Sequence, residues 1–155
     1  MSKYQDEVDK AYAELSNEPP HTEAQAQIIR NLLELYIGAF CHGDLDVAHK
    51  FLSPSYKQHN PDVGDGKEGL IDFLKHVASA SAQANGGKPV PPKFHFKRAL
   101  VDGQFVSTHF HMTRWPGDRG MSIMDIFKHE GGQFVEHWEC ITEIPENSKN
   151  SNGMF

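Results

Sequence analysis

Asp125-Ile-Phe-Lys-His-Glu-Gly-Gly-Gln-Phe-Val-Glu-His-Trp-Glu139 reads as a β-hairpin with a carboxylate on each arm. Isoleucine, phenylalanine and valine favour strands, and Gly131-Gly132 supplies residues able to turn with positive φ. A three-residue loop with a glycine bulge places Asp125, Phe127, Val135, His137 and Glu139 on one face, because side chains alternate along a strand and a bulge adds one residue to the count. Two carboxylates and an imidazole on a partly apolar face suit a proton-transfer site better than a solvent face. Strands disfavour aspartate, and Asp125 stands between Met124 and Ile126-Phe127, which again favours a pocket position. A two-residue loop would instead bring Glu136 and Trp138 beside Asp125, so the register decides the reading.

Working outward, the last third of the chain is strand-like. Lys93 to Val101 and Gln104 to Trp115 are joined by Asp102-Gly103, a strong hairpin signal. Pro116 to Gly120 turns the chain into Met121 to His129, and Gln133 to Glu143 completes the second hairpin. The first half is helical. Thr22 opens a helix with Gln25 in capping-box spacing, and Ile28, Leu32, Leu35, Tyr36, Ala39 and Phe40 recur along one face until Gly43. Asp44 caps a short second helix ending at Phe51, before Pro54. Tyr56 to Pro61 is an extended piece, and Lys67 to Ser81 is a third helix after the Gly64-Asp-Gly66 loop. Ala84 to Pro92 is a surface linker. Helices followed by a meander of antiparallel strands predict an α+β fold, a curved sheet with helices across one face. Residues 1–21 form a polar extension, weakly helical near Asp6 to Leu15, that packs loosely on a single domain over 22–155.

Length, 38% hydrophobic and 23% charged residues describe an ordinary globular domain. The net charge of −6 and scattered basic residues exclude nucleic acid or an anionic membrane as the main partner. The polar start from Met1 to Lys10 is unlike a secretory signal, and no apolar run is long enough to span a bilayer. Cys41 and Cys140 belong to no Cys-x-x-Cys pair, so they read as reduced, partly buried thiols of a cytoplasmic protein. Ten histidines suggest a lined cavity. His109 and His111, two apart on one strand face, have a metal-ligand spacing that His59, His137 or Asp125 could complete, but no metalloenzyme motif adjoins them, and no metal is expected. Gly64-Asp-Gly66 and Asp102-Gly103 are turns, not phosphate loops.

Several stretches together carry a resemblance: Tyr56-Lys-Gln-His-Asn-Pro61, Gly66-Lys-Glu-Gly69, Val101-Asp-Gly103 with Val106 and His109-Phe-His111, Met124-Asp-Ile-Phe127, Glu136-His-Trp-Glu139, and the closing Asn152-Gly-Met-Phe155. In this order the chain resembles the nuclear transport factor 2-like cone fold, and within it the SnoaL-like polyketide cyclases and predicted aldol-condensation enzymes. The likeness spans about residues 22–155. It implies a conical pocket, a small carbonyl-containing substrate, no cofactor, and a homodimer formed through the exposed sheet face. It also implies an acid/base role for Glu139, where those cyclases carry an aspartate. Asp125 stands where they often carry a histidine. The fold itself hosts many chemistries, so function has to be argued from the site.

Removing a proton next to a carbonyl needs a base in a dry pocket and a donor for the developing enolate oxygen. Two close carboxylates in an apolar hollow disfavour double ionisation, which leaves one acid and one base. Glu139 is the expected base and Asp125 its proton-holding partner. His137, His111 or His59 could donate to the enolate oxygen. His59, His109, His111, Phe127 and Trp138 are the candidate substrate-lining residues, with Phe127, Phe110 and Trp138 forming pocket wall or core according to face.

Overall fold

The computed structural model describes residues 2–155. Its sheet is open and curved, and the helices lie across one face of it, as the α+β reading expects.

Helix α1 (Gln5–Ala13) precedes α2 (Glu23–Leu35), which starts at a full capping box between Thr22 and Gln25. The chain does not stay α-helical to Gly43. From Tyr36 to Cys41 it widens into a π-helix. Such turns re-aim side chains and recur at functional sites. Asp44 caps α3 (Leu45–Phe51), which runs without a break into strand β1 (Leu52–Gln58). Asp65 then anchors α4 (Gly66–Ala84), its carboxylate accepting the N–H groups of Gly66 and Gln58, both at 2.9 Å.

Four strands follow: β2 (Lys93–Asp102), β3 (Phe105–Thr113), β4 (Met121–Glu130) and β5 (Gln133–Glu143). The sheet order is β1-β5-β4-β3-β2, with β1 parallel to β5 and the other pairs antiparallel. Val106, Phe110, Ile123, Phe127 and Phe134 line its inner face and pack against Ile29, Leu32, Leu33 and Leu35 of α2 and Leu70, Ile71 and Leu74 of α4. A buried side chain of this kind contributes about 1.5–3 kcal/mol, so this interface fixes how the helices lie over the sheet.

The N-terminal extension is docked rather than loose. Tyr4 and Val8 are buried. Glu18 accepts the N–H of Ala99 at 2.6 Å, and His21 donates from Nε2 to the carbonyl of Ala99 at 3.0 Å. Two side chains thus satisfy the backbone of edge strand β2 next to its bulge at Phe96/Arg98. Among the described residues, no helix is long and apolar enough to cross a membrane.

Candidate active site

The β4–β5 hairpin reaches the expected pairing by a different route. Its loop has two residues, Gly131 and Gly132, with φ of 56° and 86°. Positive φ at both positions is the type I′ pattern whose twist matches flanking strands. The pairing then slips between Lys128 and His129: Lys128 faces Glu136 while His129 faces Phe134, leaving Val135 as an extra residue. A short turn plus a bulge inside the arm gives the same offset as a longer loop. Asp125 therefore faces Glu139, and Phe127 faces His137. Val135 does not take its expected inward place. Fully buried Phe134 does, against Phe127 at 5.1 Å between ring centroids.

A cavity of about 140 Å³ opens between this hairpin, β1, the π-helix and α4. Phe127, His137 and Glu139 line it, together with Tyr36, Phe40, Tyr56, Gln58 and Asn60. Asp125 lies behind the lining, in contact with His137 and wholly shielded from solvent. Burial pushes its carboxyl up to about 6, Glu139 pushes in the same direction, and His137 opposes both. The Tyr36 hydroxyl donates to Asp125 Oδ2. The other oxygen, Oδ1, faces His137 Nε2 at 3.6 Å, and neither atom has another partner among the described residues.

The tautomer of His137 follows from its neighbours. The backbone N–H of Asn60 donates to Gln58 Oε1 at 3.0 Å, which fixes that atom as the amide oxygen. His137 Nδ1 lies 2.9 Å from the same oxygen, so it must donate. In the neutral ring Nε2 then carries a lone pair aimed at a carboxylate oxygen. The arrangement is favourable only if one proton sits between them, on Asp125 or on His137. The imidazole also stacks on Phe127 at 4.1 Å. On the other side of the cavity, Asn60 Nδ2 donates to Glu139 Oε1. Gln58 Nε2 donates to the Tyr56 hydroxyl at 3.3 Å, leaving the phenol proton free to point at a ligand. Burial and Glu139 raise the Tyr56 pKa, so that proton stays on.

The remaining expected residues do not reach the cavity. His109 and His111 lie on the outer face, because Thr108, Phe110 and Met112 alternate with them and point inward opposite Asp125, Ile123 and Met121. Arg98 donates to His109 Nδ1 at 2.7 Å, while His109 Nε2 donates to Ser122 at 3.1 Å. His111 donates to the carbonyl of Arg119 at 2.7 Å. Phe155 covers both rings. Trp138 also points outward, between the inward His137 and Glu139, and His59 stacks on it at 4.9 Å while bonded to Glu136. The expected histidine-lined cavity is therefore corrected to one with a single histidine, and His109 and His111, expected to line the substrate pocket, form an outer-face pair whose first ring has both nitrogens engaged. The donor atoms of Asp125, His137 and Glu139 do lie within 4.8 Å of one another, a spacing a divalent cation could bridge. A proton is enough to satisfy the Asp125–His137 contact. Tyr36, Gln58 and Asn60 complete the site and were not singled out from sequence for these contacts. The Tyr56–Pro61 motif was the available signal for two of them.

In structure the chain is similar to TsrD from Streptomyces laurentii, at 23% identity and a TM-score of 0.57, over 79% of this chain and 91% of that one. It is also similar to proteins provisionally named polyketide cyclases. One is from Bacillus cereus, at 15% identity and TM-score 0.61, covering 82% and 89% of the two chains. Another is from Acidithiobacillus ferrooxidans, at 17% identity and TM-score 0.59, covering 77% and 91%. Solved nuclear transport factor 2-like proteins of unknown function share the fold as well. No curated protein matches the chain in sequence. Residues 33–137 match the family described as the SnoaL-like domain, from the end of α2 to the site histidine on β5. The chain belongs to the SnoaL-like domain family, built on the nuclear transport factor 2-like fold.

Proposed function

We propose that this protein is a cofactor-independent enzyme that removes a proton from the carbon next to a carbonyl, for an aldol-type cyclisation or an isomerisation. One observation carries the reading: Glu139 lines a mostly apolar cavity beside an Asp125–His137 pair that needs one shared proton. Glu139 is the base. Asn60 holds its Oε1, which leaves Oε2 to act as the base in the cavity that Glu139 lines. As the C–H bond breaks, its electron pair moves onto the carbonyl oxygen. The free Tyr56 hydroxyl stabilises that oxygen. The enolate then attacks a second carbonyl carbon, whose oxygen takes the proton from Glu139, or it takes that proton back at another carbon. Either outcome balances without an oxidant. Asp125 does not line the cavity and acts through His137 as a positioning and proton-holding group. The His137 ring lines the cavity and is held between Gln58 and Asp125, with Phe127 stacked on it and Tyr36 bonded to Asp125. The SnoaL-like polyketide cyclases point to the same class of substrate, a small carbonyl compound.

The test is deuterium uptake from D2O at the carbon next to the carbonyl in simple ketones, followed by NMR. The protein should accelerate it, and Glu139→Gln should lower the rate by about 10²–10⁴-fold while ketone affinity changes only a few-fold. Binding without any accelerated exchange would instead make this a ligand-binding protein.

The same reading includes a homodimer. Leu100, Phe105, Met124 and Ile126 are exposed on the outer sheet face, and Leu100, Phe105 and Ile126 line a shallow groove there with the partly buried Trp138. Patches of that kind mark interfaces, and a second copy is the expected partner.

A further inference from the structure

A second hollow of about 250 Å³ lies behind the first, between the π-helix, the outer half of α4 and the segment 89–92. Phe40 is the residue common to both linings. Its ring is only partly buried and rests on Tyr36 at 5.2 Å and on Phe94 at 5.9 Å. Contacts of this kind are worth about 0.5–1.5 kcal/mol each, and a turn of the ring to another staggered χ1 position would join the two hollows.

The walls of this cleft are built, not draped. Ser81 Oγ accepts the N–H of Val90 at 2.9 Å and lies 3.2 Å from the Val90 carbonyl, to which it donates. Cys41 Sγ donates to the carbonyl of Pro92. Three prolines among residues 89–92 stiffen the segment further. Leu45, Leu74, Val77 and Ala78 make the rest of the wall apolar. The charged groups at its rim are paired elsewhere, Lys75 with Asp72 and His42 with Glu7.

Neither hollow alone reaches the roughly 300–1,000 Å³ of ordinary ligand pockets, but the two joined do. We infer that the cleft receives the distal apolar part of a substrate whose reacting carbonyl occupies the inner cavity, with Phe40 as the door between them. The substrate class is then an extended, mostly apolar carbonyl compound, a chain or fused rings too long for the inner cavity. This inference rests on the acid–base reading only for the end at which the carbonyl sits.

The experiment compares cyclohexanone, which fills the inner cavity alone, with 4-cyclohexylcyclohexanone, which adds an apolar extension to the same head group. Binding of each is followed by NMR titration of the protein. The longer ketone should bind at least 10-fold more tightly. Ala78→Trp, at an exposed position of α4, fills the cleft and should reduce that advantage to within about 2-fold while leaving cyclohexanone unchanged. Phe40→Ala should enlarge the advantage. The inference falls if the longer ketone binds no more tightly, if neither ketone binds, or if Ala78→Trp affects both alike or neither. Glu139→Gln separates the two readings. It should keep the size preference while losing deuterium exchange, and a size preference in a protein that never exchanges would overturn only the acid–base reading.

Discussion

Gln58 accepts the N–H of its near neighbour Asn60 and, with the same oxygen, the Nδ1 proton of His137. One amide thereby sets the orientation of an imidazole far along the chain and turns its other nitrogen toward Asp125. The carboxyl there titrates near 6 because burial penalises its charge more than His137 stabilises it. A folded-state pKa above the ordinary carboxylate value means that the folded protein holds this proton more tightly than the unfolded chain. Stability from this group is therefore intact near pH 4 and is lost as pH rises through about 6. Asp125→Asn removes the titration. It should be more stable than the parent by about 2–3 kcal/mol at pH 8, with the difference vanishing toward pH 4, as measured by urea unfolding across pH. A constant difference at all pH values would contradict the shift. The two acids were legible in the sequence because a strand aspartate flanked by apolar residues is costly unless something uses it. Tyr36, Gln58 and Asn60 were not, since their partners lie 79 to 89 residues away and no local pattern encodes the contact.

At the scale of elements, periodicity exposed what burial enforces and missed what backbone detail adds. The helices of the first half, the two β-hairpins and the order of the meander follow from apolar spacing and turn residues. The π-helix at Tyr36–Cys41 carries the same apolar residues as an ordinary turn would, so spacing alone cannot reveal it. The bulge at Val135 is equally silent, because Phe134 and Val135 are both apolar and either could face inward. The histidines of β3 were misplaced for the opposite reason. Their alternation with Thr108, Phe110 and Met112 is regular, but the residue types do not say which set is inside until the tertiary fold claims Phe110. The Gly66-Lys-Glu-Gly69 stretch does have a local cause. A Cβ at Gly69 would lie 2.0 Å from the carbonyl oxygen of Gly64, so the start of α4 can touch the preceding loop only without a side chain. Gly69→Ala should destabilise the fold by about 2–3 kcal/mol, read as a lower thermal midpoint. It should also loosen Asp65 from the Gln58 backbone and slow exchange. An unchanged midpoint would mean that the loop yields freely.

For the whole molecule, one sheet separates two environments. Its inner face carries the acids and the core, and its outer face carries the exposed apolar side chains. The homodimer proposed above predicts that Ile126→Lys, on the outer face, yields a monomer by light scattering while the inner cavity keeps its ketone affinity. A parent protein that is monomeric at micromolar concentration would remove that reading. The N-terminal extension belongs to the same economy of edges. Through Glu18 and His21 it occupies backbone groups of Ala99 on the β2 border of the sheet, so that the proposed dimer draws on the broad outer face and not on this edge.

Trp138 stands between His137 and Glu139 in the chain and on the far side of the sheet from both. Successive residues of one strand therefore serve two surfaces, the apolar outer face and the inner cavity. Any drift that tightens or loosens the contact around that indole tilts the backbone on which the imidazole and carboxylate are mounted. If the proposed dimer and the proposed chemistry both hold, one small movement of this strand tunes, or damages, the two together.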